Sequence, residues 1–462
     1  MTLIKSISGI RGTIGGAAGE ALTPLDIVKF SAAYAQQLKK KFPDKDKYKV
    51  VVGRDARISG EMVDKLVSGT LLACGIDVVN AGLASTPTTE MAVMFEKADG
   101  GIILTASHNP QQWNALKLLN EKGEFLTDDE GKALQQVAEA EDFDFVPVED
   151  MGHMTCKDFT EAHIDAVCNN PLVDLAAIRD AGFKVVLDSI NSVGGIVMPK
   201  LFERLGVECI TINGKADGHF AHNPEPLPAN LIGLSGEVVK QKADLGVSVD
   251  PDVDRLAFIC EDGVAFGEEY TLVAVSDYVL SCRKGATVSN ISSSRALKDV
   301  TEAHGCTYYS CKVGEVNATT KMREVGAVIG GEGNGGVIFP DLHYGRDALI
   351  GTALFLSNMA HKKLSATALR ASYPDYFVSK NRIEISDPAL IDTLLEAVAK
   401  HYADRRLTTI DGVRVDFDEE KKWFVLRKSN TEPIIRVYAE APTEAVADAL
   451  AQEVITIIQS KL

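Results

Sequence analysis

The stretch Thr105-Ala106-Ser107-His108-Asn109-Pro110 follows the apolar run "GGIIL". A run of this kind reads as a buried strand, and Asn-Pro reads as the turn that ends it. The turn does not account for Ser107 and His108, a hydroxyl nucleophile and an imidazole placed together at a strand tip. Ten residues on, Lys117 stands in "NALKLLN", on the face opposite Leu116 and Leu118 if that stretch is a strand. Either this lysine faces solvent or it points into a cleft beside the serine.

Three further stretches carry chemistry. In "LGVSVDPDVDRLAFICEDG" an apolar run leads into Asp250, Asp252 and Asp254, then Arg255. Alternate residues of extended chain share a side, so the three carboxylates are expected together. Each pair would repel by roughly 4 kcal/mol at about 4 Å and an effective dielectric of about 20. A hard divalent cation such as Mg²⁺ relieves that repulsion; a solvated acidic turn is the alternative. An EF-hand is excluded, although Glu261 falls at its twelfth position. Arg255 occupies the sixth, where that loop needs glycine, and "RLAFI" reads as strand. In "GGEGNGGVIFPDLHYGRDAL" five glycines surround Glu332 and Asn334. Such a backbone can approach a ligand closely, and the two side chains suit sugar hydroxyls; otherwise it is a plain flexible loop. Lys312 sits on a similar short loop in "CKVGEVN". Finally, "LRKSNTEPIIRV" carries Arg427, Ser429, Asn430, Thr431 and Arg436, with a net local charge of +2 from three basic residues and Glu432. It is either a phosphate cradle or a β-turn with surface arginines.

The whole chain has 462 residues and a net charge of −17. That charge argues against nucleic-acid partners. An anionic ligand would need local positive charge, and the fourth stretch offers the best of it. Hydrophobic residues make up 45% and charged residues 24%, as in a soluble globular protein. No apolar run reaches the roughly 18 residues of a membrane span. The start, "MTLIKSISGI", lacks the apolar core of a secretory signal, so a cytoplasmic location is expected. The eight cysteines form no Cys-x-x-Cys pair and are expected to be reduced core thiols.

The elements that must position these residues recur. Residues 48–82, 183–214 and 285–315 each read as strand, polar loop, helix, glycine, strand, with Gly75, Gly206 and Gly305 at the helix ends. Such βαβ units imply mostly parallel sheets. They are either divergent repeats or mere α/β regularity. Three α/β domains are expected, at 1–150, 151–255 and 256–368. The remainder, 369–462, reads as α+β: the strands "KNRIEI", "DGVRVDFD", "KWFVLRKS" and "IIRVYAEA", then a helix opened by Pro442-Thr443.

Taken in order, the four stretches resemble the α-D-phosphohexomutase family over the whole chain. "TASHNP" is similar to its phosphoserine loop, "DPDVDR" to its magnesium loop, "GEGNGG" to its sugar loop and "RKSNTEP" to its phosphate loop. Arg11 in "SGIRGT" and "HNPEPLP" at 222–228 match as well. The resemblance implies an α/β fold of four domains around a central cleft: three related, mixed-sheet α/β domains and a smaller C-terminal α+β domain. It implies an isomerase that moves phosphate between O1 and O6 of a sugar. Ser107 would carry the phosphoryl group, with one Mg²⁺ held between that phosphate and Asp250, Asp252 and Asp254. A sugar bisphosphate would be the intermediate and the activator. Lys117 would be the general acid/base, its pKa lowered by Arg255 or Arg11, and His108 would bind the phosphoryl or the sugar. Glu332, Asn334 and Lys312 would bind the sugar. Arg427, Ser429, Asn430, Thr431 and Arg436 would grip the idle phosphate, and the fourth domain would close over the cleft. The expected partner is a phosphosugar, with no nucleic acid or membrane, in a monomer or homodimer.

The sugar loop departs from the Glu-x-Ser-Gly-His of many family members: Asn334 replaces the serine and Gly336 the histidine. His343 and Arg346 are expected to stand in for that histidine. "GEGNGG" followed by "FPDLHYGRDAL" looks like archaeal-type phosphoglucosamine mutases. Glucosamine phosphate is therefore favoured, with a phosphoglucomutase/phosphomannomutase of the same mechanism as the alternative. Two rivals remain: an aspartyl-phosphate enzyme with Asp250 as nucleophile, and a non-catalytic sugar-phosphate sensor.

Overall fold

Three stretches of β-branched residues build three sheets of one topology in the computed structural model, which describes residues 2–6, 9–429 and 433–461. In the first, Ile76–Leu83, Tyr48–Arg54 and Gly100–Leu104 lie side by side in parallel, and Trp113–Leu119 joins antiparallel. The second repeats this with Glu208–Ile212, Lys184–Asp188, Leu245–Val249 and a reversed Leu256–Cys260. The third uses Tyr308–Cys311, Ala286–Asn290, Ala327–Glu332 and a reversed Gly336–Ile338. The three stretches are thus copies of one arrangement, and the sheets are mixed. The first gains Ile4–Ser6 and Gly9–Thr13 at one edge and Met154–Cys156 at the other. Gly75, Gly206 and Gly305 follow the helices Gly60–Ala73, Gly194–Leu205 and Ala296–Ala303 with φ of 74°, 76° and 70°, the left-handed ending that glycine permits.

In every copy the chain reverses between the third and fourth strands. The reversals are 105–112, 250–255 and 333–335, so the serine, aspartate and glycine stretches occupy equivalent places. This also corrects the expected boundary at 255/256. Leu256–Cys260 pairs with Leu245–Val249, because the aspartate turn folds the chain back into its own sheet. A line before Leu256 would cut that pair.

The second and third copies share one apolar core. Helices Glu268–Cys282 and Ala348–Lys362 are buried along most of their length. Phe355 stacks on Phe258 at 3.9 Å between centroids and meets Phe266 edge-on at 5.0 Å. Each fully buried ring contributes roughly 1.5–3 kcal/mol, and the shared core holds the aspartate and glycine loops in one body.

The C-terminal unit is a five-stranded sheet in the order Phe377–Glu384, Ile434–Ala441, Lys422–Lys428, Val413–Phe417, Arg406–Thr408. Every neighbouring pair is antiparallel. One face packs on Leu390–His401 and Glu444–Gln459, the latter capped by Thr443. The other face docks on the third copy through Trp423, Val425 and Ile291. Arg414 donates to the Ile291 carbonyl at 2.6 Å, and Glu440 accepts from the Arg295 N–H at 2.9 Å. All eight cysteines are free. Four are buried, but Cys156 and Cys282 are exposed, so not all are core thiols. Among the described residues no helix is long and apolar enough to cross a membrane.

Candidate active site

Ser107 is 4% exposed and has φ of 50°, a left-handed conformation that costs a non-glycine residue on the order of 1–3 kcal/mol. Its hydroxyl donates to Asp250 Oδ2 at 2.7 Å. His108 Nδ1 lies 3.4 Å from the same hydroxyl. Burial, with Arg255 and Arg11 nearby, pushes the His108 imidazole down to about 2, so it is neutral. Arg11, on Gly9–Thr13, donates to Asn109 Oδ1 at 2.8 Å and braces the loop.

Asp250, Asp252 and Asp254 are 0% exposed and their oxygens converge within 4.8 Å. Strand alternation is not what gathers them. Residues 250–255 form a turn in which Val253 has φ of 64° and its N–H donates to the Asp250 carbonyl at 3.0 Å. Asp250 Oδ1 accepts from the N–H groups of Asp254 and Arg255, each at 3.1 Å. Burial, and then the charges of Asp252 and Asp254, push the Asp250 carboxyl well above its usual range. Asp252 Oδ1 and Asp254 Oδ1 have no hydrogen-bond partner among the described residues. Orphaned, buried carboxylate oxygens at one point are the donor set a hard divalent cation takes, so the residues fit a metal ion.

Lys117 does not face solvent: it is 3% exposed and its Nζ lies 2.7 Å from Asp252 and 3.5 Å from Asp254. Its expected lowered pKa is not found. Burial pushes the ammonium down, but Asp252 and Asp254 outweigh it and hold Lys117 above its usual value. Arg255 is nearly buried and lies 3.4 Å from Glu225, within the 222–228 segment.

Glu332 is held on all sides. Asn290 and the Gly314 N–H donate to its Oε1 at 3.0 and 2.9 Å, and Arg346 to its Oε2 at 3.1 Å. Burial raises its carboxyl, yet Arg346, the Gly314 N–H and Arg255 bring it below the usual range. The loop glycines do not clear space for a ligand as expected; protein atoms fill it. A Cβ would meet Glu269 at Gly333 (1.9 Å), the Leu256 carbonyl at Gly335 (2.1 Å) and Arg346 at Gly336 (2.3 Å). Asn334 is half-buried and accepts from the Gly336 N–H at 3.2 Å, while Lys312 is exposed.

His343 and Arg346 part company. Arg346 joins the loops: besides Glu332 it reaches Asp254 at 2.7 Å and Glu315 at 2.8 Å. His343 lies in a buried network instead. Its Nε2 is 3.2 Å from Asp347, which also holds His163 at 2.9 Å, and its Nδ1 is 3.3 Å from Glu90. Among the described residues its partners are thus Asp347 and Glu90, not Glu332.

In the fourth unit, both Arg427 Nε and Nη2 reach Asp411 Oδ2, at 2.9 and 2.8 Å. Ser429 is buried and its N–H donates to the Ile434 carbonyl at 3.1 Å. Asn430 and Thr431 lie outside the described residues. Arg436 is exposed and sits directly across from Arg427 on one side and Arg382 on the other. Like charges in register destabilise a sheet, so this row concentrates positive charge at a cost. It continues the face, through Val425 and Trp423, that docks on the third copy.

Sequence reading missed Arg382, which only strand register reveals. It also missed Thr86, whose hydroxyl donates to Asp252 at 2.7 Å, and the Asp55–Arg57 pair beneath the serine loop. A signal existed for the pair, since "GRDAR" spans the end of the first strand of a copy.

Family models described as phosphoglucomutase/phosphomannomutase α/β/α domains I, II and III match residues 3–145, 161–263 and 267–376, and the C-terminal domain model matches 382–457. A phosphoglucomutase/phosphomannomutase of Thermococcus kodakarensis is 37% identical over 444 residues, covering 94% of this chain and 95% of the relative. A phosphoglucosamine/phosphogalactosamine mutase of Sulfurisphaera tokodaii is 32% identical over 468 residues, covering 98% of each. Among solved structures, a phosphoglucomutase/phosphomannomutase family protein of Burkholderia thailandensis superposes with a TM-score of 0.84 at 26% identity, covering 99% of this chain and 97% of that one.

Proposed function

This chain belongs to the phosphoglucomutase/phosphomannomutase family, and we propose that it interconverts the 1- and 6-phosphates of a sugar through a phosphoryl group carried on Ser107. The observation that carries this reading is the Ser107 hydroxyl, 2.7 Å from Asp250 inside a buried cluster of three aspartates that includes two orphaned oxygens. Asp250, Asp252 and Asp254 would hold one Mg²⁺, which supplies charge neutralisation and in-line orientation of the phosphoryl group.

The bond from phosphorus to Ser107 Oγ breaks as one forms to a sugar hydroxyl. The proton balance closes through Lys117, whose ammonium gives a proton to Ser107 Oγ and takes up the one the sugar hydroxyl releases. The bisphosphorylated sugar then turns and returns its other phosphoryl group to Ser107, which a free sugar bisphosphate can also load. Neutral His108 hydrogen-bonds the phosphoryl group or the sugar. Glu332, joined to Asp254 through Arg346, and Asn334 present the sugar face, and exposed Lys312 reaches the substrate. The arginine row, with Ser429, holds the phosphate that is not reacting, and the fourth unit closes to exclude water. The working division is four units around this cleft, the second ending after Cys260, in a cytoplasmic enzyme.

The favoured substrate is a hexosamine phosphate, supported by the Sulfurisphaera relative's name and the Glu332–Asn334 loop. A panel of glucosamine, glucose and mannose 1- and 6-phosphates, compared by kcat/KM with Mg²⁺ and a sugar bisphosphate present, tests it. Glucosamine phosphates are expected to rank first. Glucose or mannose phosphates ahead by about tenfold, some 1.4 kcal/mol in transition-state binding, would select the other substrate class. Tight binding without turnover would remove the mutase reading.

A further inference from the structure

We propose that Asp55 and Arg57 are positioning residues: their buried ion pair fixes the serine loop, the turn they close ties that loop to the aspartate loop, and together these set the reactivity of Ser107. The inference rests on the reading of Ser107 as the phosphoryl carrier.

Arg57 is 1% exposed, and each of its five N–H donors is in use. Nε donates to Asp55 Oδ2 at 3.1 Å. Nη1 donates to the carbonyls of Pro110 and Trp113 at 2.8 and 2.9 Å, and Nη2 to those of Ser107 and Asn109. Four of the five acceptors are therefore backbone carbonyls between residues 107 and 113. Asp55 secures the other side of the serine. Its Oδ2 accepts from Thr105 Oγ1 at 2.6 Å, and that oxygen accepts from the Ser107 N–H at 2.9 Å. The N–H and the C=O of Ser107 both trace to the same pair, which is how a left-handed serine is held in place.

The turn also reaches the second copy. The Ala56 N–H donates to Ser192 Oγ at 3.3 Å, and Ser192 donates to the Pro251 carbonyl at 2.6 Å, inside the aspartate turn. Three consecutive residues thus grip both loops whose side chains meet at Ser107 and Asp250. A buried ion pair gains little stability over apolar packing. What it supplies here is direction, and a lysine, with three donors and no planar fork, cannot reproduce it.

The test uses full-length Arg57→Lys and the milder Thr105→Val, with Mg²⁺ and labelled glucose 1,6-bisphosphate. Read out are label transfer to Ser107, kcat, KM and Mn²⁺ affinity. For Arg57→Lys, labelling and kcat are expected to fall together by about 100-fold, the scale of an ångström-sized misplacement. KM and Mn²⁺ affinity should stay within about threefold, which a general loss of structure would not spare. Thr105→Val should lose about tenfold in the same two rates. A folded Arg57→Lys with near-normal kcat, or with losses confined to KM or Mn²⁺ affinity, overturns the proposal. If Arg57→Lys does not fold, unchanged kcat in Thr105→Val overturns it. Wild-type protein that takes no label on Ser107 defeats the phosphoserine reading instead; equal labelling of wild type and Arg57→Lys defeats only the positioning role.

Discussion

Lys117 stands among three buried carboxylates, held charged by Asp252 and Asp254 against the pull of burial. Its removal takes away the proton-exchanging group, so Lys117→Ala should lower kcat by about 10²- to 10⁴-fold. Steady-state kinetics with saturating sugar phosphate checks this; a loss seen in KM alone would point to a binding role. Residues of this kind were legible in the sequence where chemistry and spacing are local. Ser107 beside His108, and the three alternating aspartates, needed no knowledge of the fold. Thr86 and Arg57 were not legible, because their partners are far along the chain: Thr86 bonds Asp252, and Arg57 bonds the 107–113 backbone. The glycines around Glu332 misled for a related reason. Sequence shows that a close approach occurs, but not that Glu269, Leu256 and Arg346 are what approaches.

The elements divide into those that present loops and those that lock them. Strand–helix periodicity and helix-ending glycines made the three copies visible. The reversal into the fourth strand was hidden, because "DPDVDR" reads as extended chain until Val253 adopts a positive φ. Between units, Asp411 holds Arg427 and also accepts the Val313 N–H at 3.0 Å. On the proposed reading, a substrate phosphate displaces that carboxylate from the guanidinium. Asp411→Asn should therefore lower KM for the phosphosugar by about fivefold, in keeping with a partly exposed pair worth about 1 kcal/mol. A raised KM would show that Asp411 helps to form the cradle. The joint of helix Thr86–Glu96 with His163, His343 and Asp347 is expected to respond to pH. Burial pushes His343 down, but Asp347 and Glu90 outweigh it and hold it up at about 10, from an ordinary 6.5. Burial, helped by Glu315 and opposed by His343 and Lys117, raises Glu90 to about 8. In both cases the folded state keeps a proton that the unfolded chain has released. The stability His343 supplies is complete below about pH 6.5 and is lost as pH rises through about 10. Tm measured by calorimetry should fall over that window, and less steeply in His343→Gln; an equal slope in the variant would place the titration elsewhere.

Across the whole molecule, equivalent reversals of three copied sheets bring together a hydroxyl, a metal-ready acid cluster and the glycine-rich loop around Glu332. A fourth sheet lays a row of arginines along the same face that docks on the third copy. In a chain of net charge −17, that row is where an anion can settle. Fold class and order of units were readable from repeated local patterns. The shared core that joins the second and third copies was not, since it depends on which helix faces meet. Covalent passage of phosphate through Ser107 is tested most directly by peptide mapping after incubation with labelled glucose 1,6-bisphosphate and Mg²⁺. The expected result is label on the Ser107 peptide alone, chased off by an unlabelled sugar monophosphate at the rate of turnover. Label on Asp250, or turnover with none on Ser107, would contradict it.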